Sequence, residues 1–169
     1  WKKKGIFFNR FYANGFQTRH GEIATYCSVM PNYGQSVFSH YSQNYFECLP
    51  ELLKSYGYST SWLHNADAAF DGQLEMLPKM GFDKIMDRFD FPFETETLGW
   101  GYSDEALFDK WIDYLDQEKE PFFSSALTTT THHPFDVPKS YQSFENRSVQ
   151  NKYYESINYV DSMLNHFLI

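Results

Sequence analysis

The chain has no apolar run approaching the roughly 20 residues needed to cross a bilayer. It also has no stretch in which a basic head leads into an apolar core, as in a secretory leader. Any membrane anchor is therefore expected outside these 169 residues. Cysteine is scarce: Cys27 and Cys48 are the two present, and neither has the CxxC spacing of a redox or zinc site. They can pair or remain buried thiols, and the spacing leaves both open. Lys and Arg form no cluster beyond Lys2-Lys3-Lys4, so no nucleic-acid footprint is expected. A Walker-type phosphate loop, HExxH and GxSxG are all absent.

What is present is acid and aromatic surface. Against 14 basic residues stand 22 acidic ones, a net charge of -8. A chain this acidic that handles an anion needs a metal or a local Arg/His cluster to offset its own field. The same acidity also fits a solvated surface. Rings make up 20% of the residues, which favours thick packing between layers or a ring-lined groove. With 42% hydrophobic residues, the chain can bury a sizeable core as one domain over 1–169. No internal repeat and no low-complexity linker interrupts it.

Three runs read as strands: Gly5–Ala13, Ser59–His64 and Pro121–Thr128. Helices are expected between and after them. Tyr45 to Tyr56 carries Phe46, Leu49, Leu52, Leu53 and Tyr56 at helical spacing, with Gly57 as the stop. Ser103 can cap a helix with Asp104 and Glu105 in its first turn, followed by Leu107, Trp111, Tyr114 and Leu115 on its apolar face. A last helix is expected from about Ser148, with Tyr153, Ile157, Val160, Leu164 and Phe167 on one stripe. Helix and strand in alternation point to an α/β sheet with helices on its faces.

Reacting groups in such sheets collect at the carboxyl ends of the strands. Notable polar residues fall there: Thr18, Arg19 and His20 after the first run, His64 and Asn65 after the second, and Thr131, His132 and His133 after the third. A Thr hydroxyl is a poor nucleophile until a base or metal activates it. If Thr18 begins a helix, its hydroxyl and the nearby N–H groups face an incoming anion. Thr18 can equally be a plain N-cap, with Glu22 an exposed first-turn acid. Two adjacent histidines held by Pro134 can bind a phosphoryl oxygen or a metal. Adjacent residues in extended chain point to opposite sides, so one of the two is expected to face a site. His64 alone fits a satisfied structural histidine as well as a ligand. His20, His40 and His166 belong to no readable motif.

Several segments, in order, resemble one family. They are the run from Gly5 to Glu22, Leu49-Pro50-Glu51-Leu52-Leu53-Lys54-Ser55-Tyr56-Gly57-Tyr58-Ser59-Thr60, Met80-Gly81-Phe82-Asp83, His132-His133-Pro134-Phe135 and Tyr154 with Tyr159-Val160-Asp161. Together they are similar to the alkaline-phosphatase-like superfamily, in the branch of phosphoglycerol transferases that resemble lipoteichoic acid synthase. The resemblance implies a three-layer sandwich with helices on both faces of a mostly parallel sheet, incomplete here. It implies that Thr18 is both nucleophile and metal ligand, forming a phosphothreonine. It implies that His132 binds the substrate phosphate, since the family pattern is His, one residue, then Pro, and it leaves His64 as a second substrate-binding candidate. Glu22 is expected to be supporting structure.

The implied cofactor is Mn²⁺ or Mg²⁺ in a longer protein. The implied substrates are anionic phospholipid head groups or cell-envelope glycans, outside the cytoplasm, in a membrane-anchored bacterial enzyme. Thr18 also separates this chain from formylglycine sulfatases, because oxidising a threonine gives a ketone and not the required aldehyde. Three departures from the family pattern stand out. The acidic metal-ligand motif expected upstream of Trp1 and the Asp-His pair expected after Ile169 are not in the chain, and Asp71-Gly72-Gln73 occupies the place of a Trp-x-Arg that contacts glycerol phosphate. One hydroxyl cannot hold a metal without carboxylate or imidazole partners. The chain alone is therefore expected to be inert and, with truncated sheet edges, to self-associate. Two other readings remain: a phosphatase- or sulfatase-like hydrolase on the same fold, and a non-catalytic glycan-binding module.

Overall fold

The computed structural model describes residues 5–34, 37–40 and 42–169. The basic run Lys2-Lys3-Lys4 lies outside the described residues. The helices are α1 (Thr18–Cys27), α2 (Val37–His40), α3 (Leu49–Ser55), α4 (Gln73–Lys79), α5 (Asp104–Leu115) and α6 (Val149–Leu168). The strands are β1 (Ser59–His64), β2 (Lys84–Met86), β3 (Thr97–Leu98), β4 (Gly101–Tyr102) and β5 (Phe122–Leu127).

The main sheet has the order β2-β1-β5. Both pairings are parallel, with Trp62 opposite Ile85 on one side and Ser125 on the other. β1 is thus central, and its residues from Thr60 to His64 are all buried. Successive side chains alternate across a strand, and β1 uses both faces. Trp62 packs with Ile23 and Tyr26 of α1 and with Met76 and Leu77 of α4. Leu63 points to the other side, among Met86, Phe91, Tyr102 and Leu107 of α5. Helices therefore cover both faces of a parallel sheet, as expected. The polar members of β1 are satisfied inside: Thr60 Oγ1 donates to Gly81 O at 2.7 Å, and the Ser61 and Ser124 hydroxyls bond at 2.7 Å. The last helix, α6, lies against α5, with Phe167 stacked on Trp111 at 4.3 Å.

The helix ends follow local chemistry. Ser103 Oγ accepts from Ala106 N–H at 3.1 Å, and Ser148 Oγ accepts from Asn151 N–H at 3.2 Å. Both are side-chain N-caps. The helix expected from Tyr45 begins only at Leu49, because Pro50 pre-sets the first turn and Cys48 is the N-cap. It stops at Gly57, whose φ of +86° lets the amides of Gly57 and Tyr58 reach back to the carbonyls of Lys54 and Leu53.

The run Gly5–Ala13 is not a strand. It lies exposed, with Ile6 and Phe11 at 87% and 84% exposure, and pairs with no strand among the described residues. Its aromatic composition favours extended chain, but a strand needs a neighbour for its N–H and C=O groups, and composition does not supply one. Cys27 and Cys48 are joined as a disulfide, which ties the end of α1 to the cap of α3. Among the described residues no helix is long and apolar enough to cross a membrane.

Two substitutions test this packing. Gly81 has φ +100°, and a Cβ there would stand 2.3 Å from Glu51 N. Gly81→Ala is expected to cost more than about 1 kcal/mol in urea unfolding, since both backbone and space oppose it. Replacing Cys27 and Cys48 together with Ser is expected to cost about 3 kcal/mol, from the chain entropy of the loop released. A denaturation midpoint equal to wild type would contradict either expectation.

Candidate functional site

β1 and β5 run side by side and end together, His64 opposite Leu127. The chain leaving β5 carries Thr128 to His132, and α1 brings Thr18 to the same end. Between them lies a cavity of about 220 Å³ whose wall includes Thr18, His64, Asp67, Phe70, Asp71, Gln73, Trp100, Thr129 and His132. The three residues singled out from sequence, Thr18, His64 and His132, thus line one cavity. His133 is not in its wall and packs instead on Phe135, ring centres 5.8 Å apart. Only one histidine of the pair faces the site, although the two lie in a turn after β5 rather than in the extended chain expected.

A buried carboxylate sets the spacing of these groups. Asp104, the first residue of α5, is fully buried. Its Oδ1 accepts from Asn65 Nδ2 at 2.9 Å and from Thr129 N–H at 3.0 Å, and its Oδ2 accepts from Thr130 N–H at 3.3 Å. Asn65 Nδ2 also donates to Tyr102 O at 2.7 Å. The residues just past β1 and β5 are thereby fastened to the start of α5. The charge sits in the first turn of a helix, where the dipole favours it.

Hydrogen bonds fix the tautomer of both histidines. His64 Nδ1 donates to Leu127 O at 2.9 Å, because a carbonyl can only accept. Burial pushes the His64 pKa down, against the opposing pull of that bond and of Asp87, Asp104 and Asp67. The ring is therefore neutral at pH 7, with Nε2 as an acceptor. His132 Nδ1 donates to His133 O at 2.9 Å, which leaves its Nε2 free of that bond. The His132 ring lies on Trp100 with centroids 3.9 Å apart, and Phe70 meets Trp100 edge-on at 5.8 Å.

Thr18 is the first residue of α1, and Gln17 holds the N-cap position without a side-chain cap bond. The plain N-cap role weighed for Thr18 therefore falls to its neighbour. Glu22, expected as an exposed first-turn acid in that same reading, is buried one turn further along. Gln73 Nε2 donates to both of its oxygens at 3.1 Å. Desolvation raises the Glu22 pKa to about 7; the Gln73 bond opposes the rise and the Asp71 charge adds to it. Asp71 pairs with Arg19. Asp71 and Gln73, which stand where the resemblance places Trp and Arg, thus spend their polar atoms on neighbours inside the wall. Among the described residues no three His, Cys, Asp or Glu side chains come together to hold a metal. Thr18 offers one oxygen, and the residues present do not complete a coordination shell.

Sequence reasoning missed Trp100, Asp67 and the clamp role of Asp104. Asp104 was readable as a first-turn acid, but its partners lie 25 and 39 positions away. Trp100 sits between the short strands β3 and β4, a hairpin with no clear sequence mark.

The profile of the sulfatase family matches residues 1–168. The chain belongs to the sulfatase family. It is 28% identical to the lipoteichoic acid synthase-like YvgJ of Bacillus subtilis over 98% of its own length and 28% of that relative's. The crystal structure of the lipoteichoic acid synthase LtaP from Listeria monocytogenes superposes with a TM-score of 0.87 at 28% identity, over 95% of this chain and 41% of that one. A Vibrio parahaemolyticus protein of the alkaline phosphatase superfamily gives 0.83 at 27% identity, over 95% of this chain and 40% of that one. The fold is therefore that of the alkaline phosphatase superfamily, and this sulfatase-family chain spans well under half of the relatives it matches.

The Glu22 environment generates a pH prediction. The folded-state pKa is raised from 4.5 to about 7, so folding favours the protonated acid. That contribution is fully present below pH 4.5 and is lost as pH rises through about 7. Stability is expected to fall by roughly 2–4 kcal/mol over that interval. Glu22→Gln should abolish most of this fall and leave the variant the more stable above pH 7. Parallel pH profiles for the two chains would refute the assignment.

Proposed function

We propose that this sulfatase-family chain is the central part of the catalytic domain of a metal-dependent phosphotransferase, of the phosphoglycerol transferase type. The observation that carries the reading is the convergence of Thr18, His64 and His132 on one cavity at the carboxyl ends of β1 and β5. Thr18 Oγ1 attacks the phosphorus of an anionic phosphodiester. The bond to the leaving head-group oxygen breaks, that oxygen takes a proton, and a phosphothreonine remains. An acceptor hydroxyl then attacks the same phosphorus and restores Thr18. His132, through Nε2, binds a phosphate oxygen when protonated. Neutral His64 presents an acceptor nitrogen, which suits a hydroxyl of the substrate better than an oxyanion. Two fixed imidazoles and a helix start give the site preorganised polar groups in a partly desolvated cavity.

Mn²⁺ or Mg²⁺ enters this reading with Thr18 as one ligand and the remainder supplied by other segments of a longer protein. The chain by itself is then inactive. The donor is an anionic lipid head group and the acceptor a glycan or glycerol-phosphate polymer, with no nucleic acid involved. The Cys27–Cys48 disulfide supports an oxidising, extracytoplasmic setting, with the longer protein held at the membrane.

The test uses the full-length protein with Mn²⁺ and a p-nitrophenyl phosphodiester. Thr18→Ala is expected to lower kcat by about 1,000-fold or more. Mass spectrometry of the wild type quenched during turnover should find the transferred group on the peptide containing Thr18. Undiminished turnover in Thr18→Ala would remove the nucleophile from this mechanism.

A further inference from the structure

The cavity has a charge problem if its ligand is a phosphodiester. Among the described residues, its wall contains the carboxylates of Asp67 and Asp71 and neither a Lys nor an Arg. Arg19, the residue after Thr18, lies just behind that wall. Its Nη1 pairs with Asp71, its Nη2 donates to Gln17 Oε1 at 2.7 Å, and its Nε is buried with no hydrogen-bond partner among the described residues. Both members of the Arg19–Asp71 pair are only 24% exposed, so this is not a solvent-screened surface contact.

The backbone beneath the pair is unusual as well. Asp71 has φ 61° and ψ 14°, a left-handed conformation inside the turn Phe70–Gly72. Such a conformation in a residue other than glycine persists where the surroundings over-determine it. The contact with Arg19 is one such constraint, and it holds an anion in front of a guanidinium beside the nucleophile. A phosphate oxygen and a carboxylate oxygen ask for the same planar N–H donors.

We propose that Arg19 is the substrate's phosphate-binding guanidinium and that Asp71 occupies it until a phosphodiester anion arrives and takes its place. This rests on the reading of the cavity as a phosphoryl-transfer site. Asp71 is thus a stand-in for the substrate: it holds the Arg19 guanidinium and gives way to the better-matched anion. The guanidinium that position 73 lacks is supplied from the neighbour of the nucleophile, on the opposite side of the ion pair.

The test is a titration of the ¹⁵N-labelled chain with glycerol phosphate and with short-chain phosphatidylglycerol, read at the Arg19 Nε–H and the Thr18 amide. Both resonances should shift saturably with either probe, the tighter probe naming the source, and free glycerol should leave them still. Arg19→Gln is expected to raise Kd about tenfold or more, Arg19→Lys to recover part of that loss, and Asp71→Asn to lower Kd. Thr18→Ala should leave the Arg19 response in place, which separates this contact from nucleophilic attack. Wild-type affinity in Arg19→Gln, or weaker binding in a folded Asp71→Asn, would overturn the exchange while leaving the site itself standing. No saturable shift in the wild-type chain would overturn both.

Discussion

The Asp104 carboxylate is the constraint on which the site depends. Taking a carboxylate out of water is costly unless its oxygens are saturated with donors. Here the donors come from two separate parts of the chain, the end of β1 through Asn65 and the segment after β5 through Thr129 and Thr130, while α5 holds the acid in its first turn. Asn65 also reaches Tyr102 in the β3–β4 hairpin, so the same knot carries Trp100 against His132. Loosening this one group frees both histidine-bearing strand ends at once.

A second layer of pairing governs the charge of the cavity. An acidic chain places Glu22, Asp67 and Asp71 near Thr18, the residue proposed as nucleophile. Two of these acids are offset locally: burial raises the Glu22 pKa to about 7, and Arg19 pairs with Asp71. The disulfide and the α1 packing under Trp62 hold α1, which begins at Thr18, against the sheet. Under the proposed function, the Arg19 pairing offsets part of the repulsion that Asp71 would present to a phosphate.

Much of this was legible in the residues. β1 and β5, the Ser103 and Ser148 caps and the Gly57 stop were readable because each depends on contacts within a few positions. His64 and His132 were readable as candidates because strand ends are where an α/β sheet collects its chemistry, whereas Thr18 follows a run that is not a strand and was legible through the family resemblance. Gly5–Ala13 was misread as a strand for the converse reason, since its pattern finds no partner among the described residues. The three-residue β2 was not read because it is too short for periodicity to mark.

By itself the sequence determined the starts of α5 and α6, the stop after α3, the strands β1 and β5, the family and the identity of the polar groups at the strand ends. These follow from short-range sterics, from caps and from ordered motifs. Only the tertiary structure decided that Thr18, His64 and His132 share one cavity, that Cys27 meets Cys48 and that Arg19 is held by Asp71. Those outcomes depend on which distant donors can saturate a buried acid and which rings can fill a shared wall, and spacing along the chain does not encode such distances.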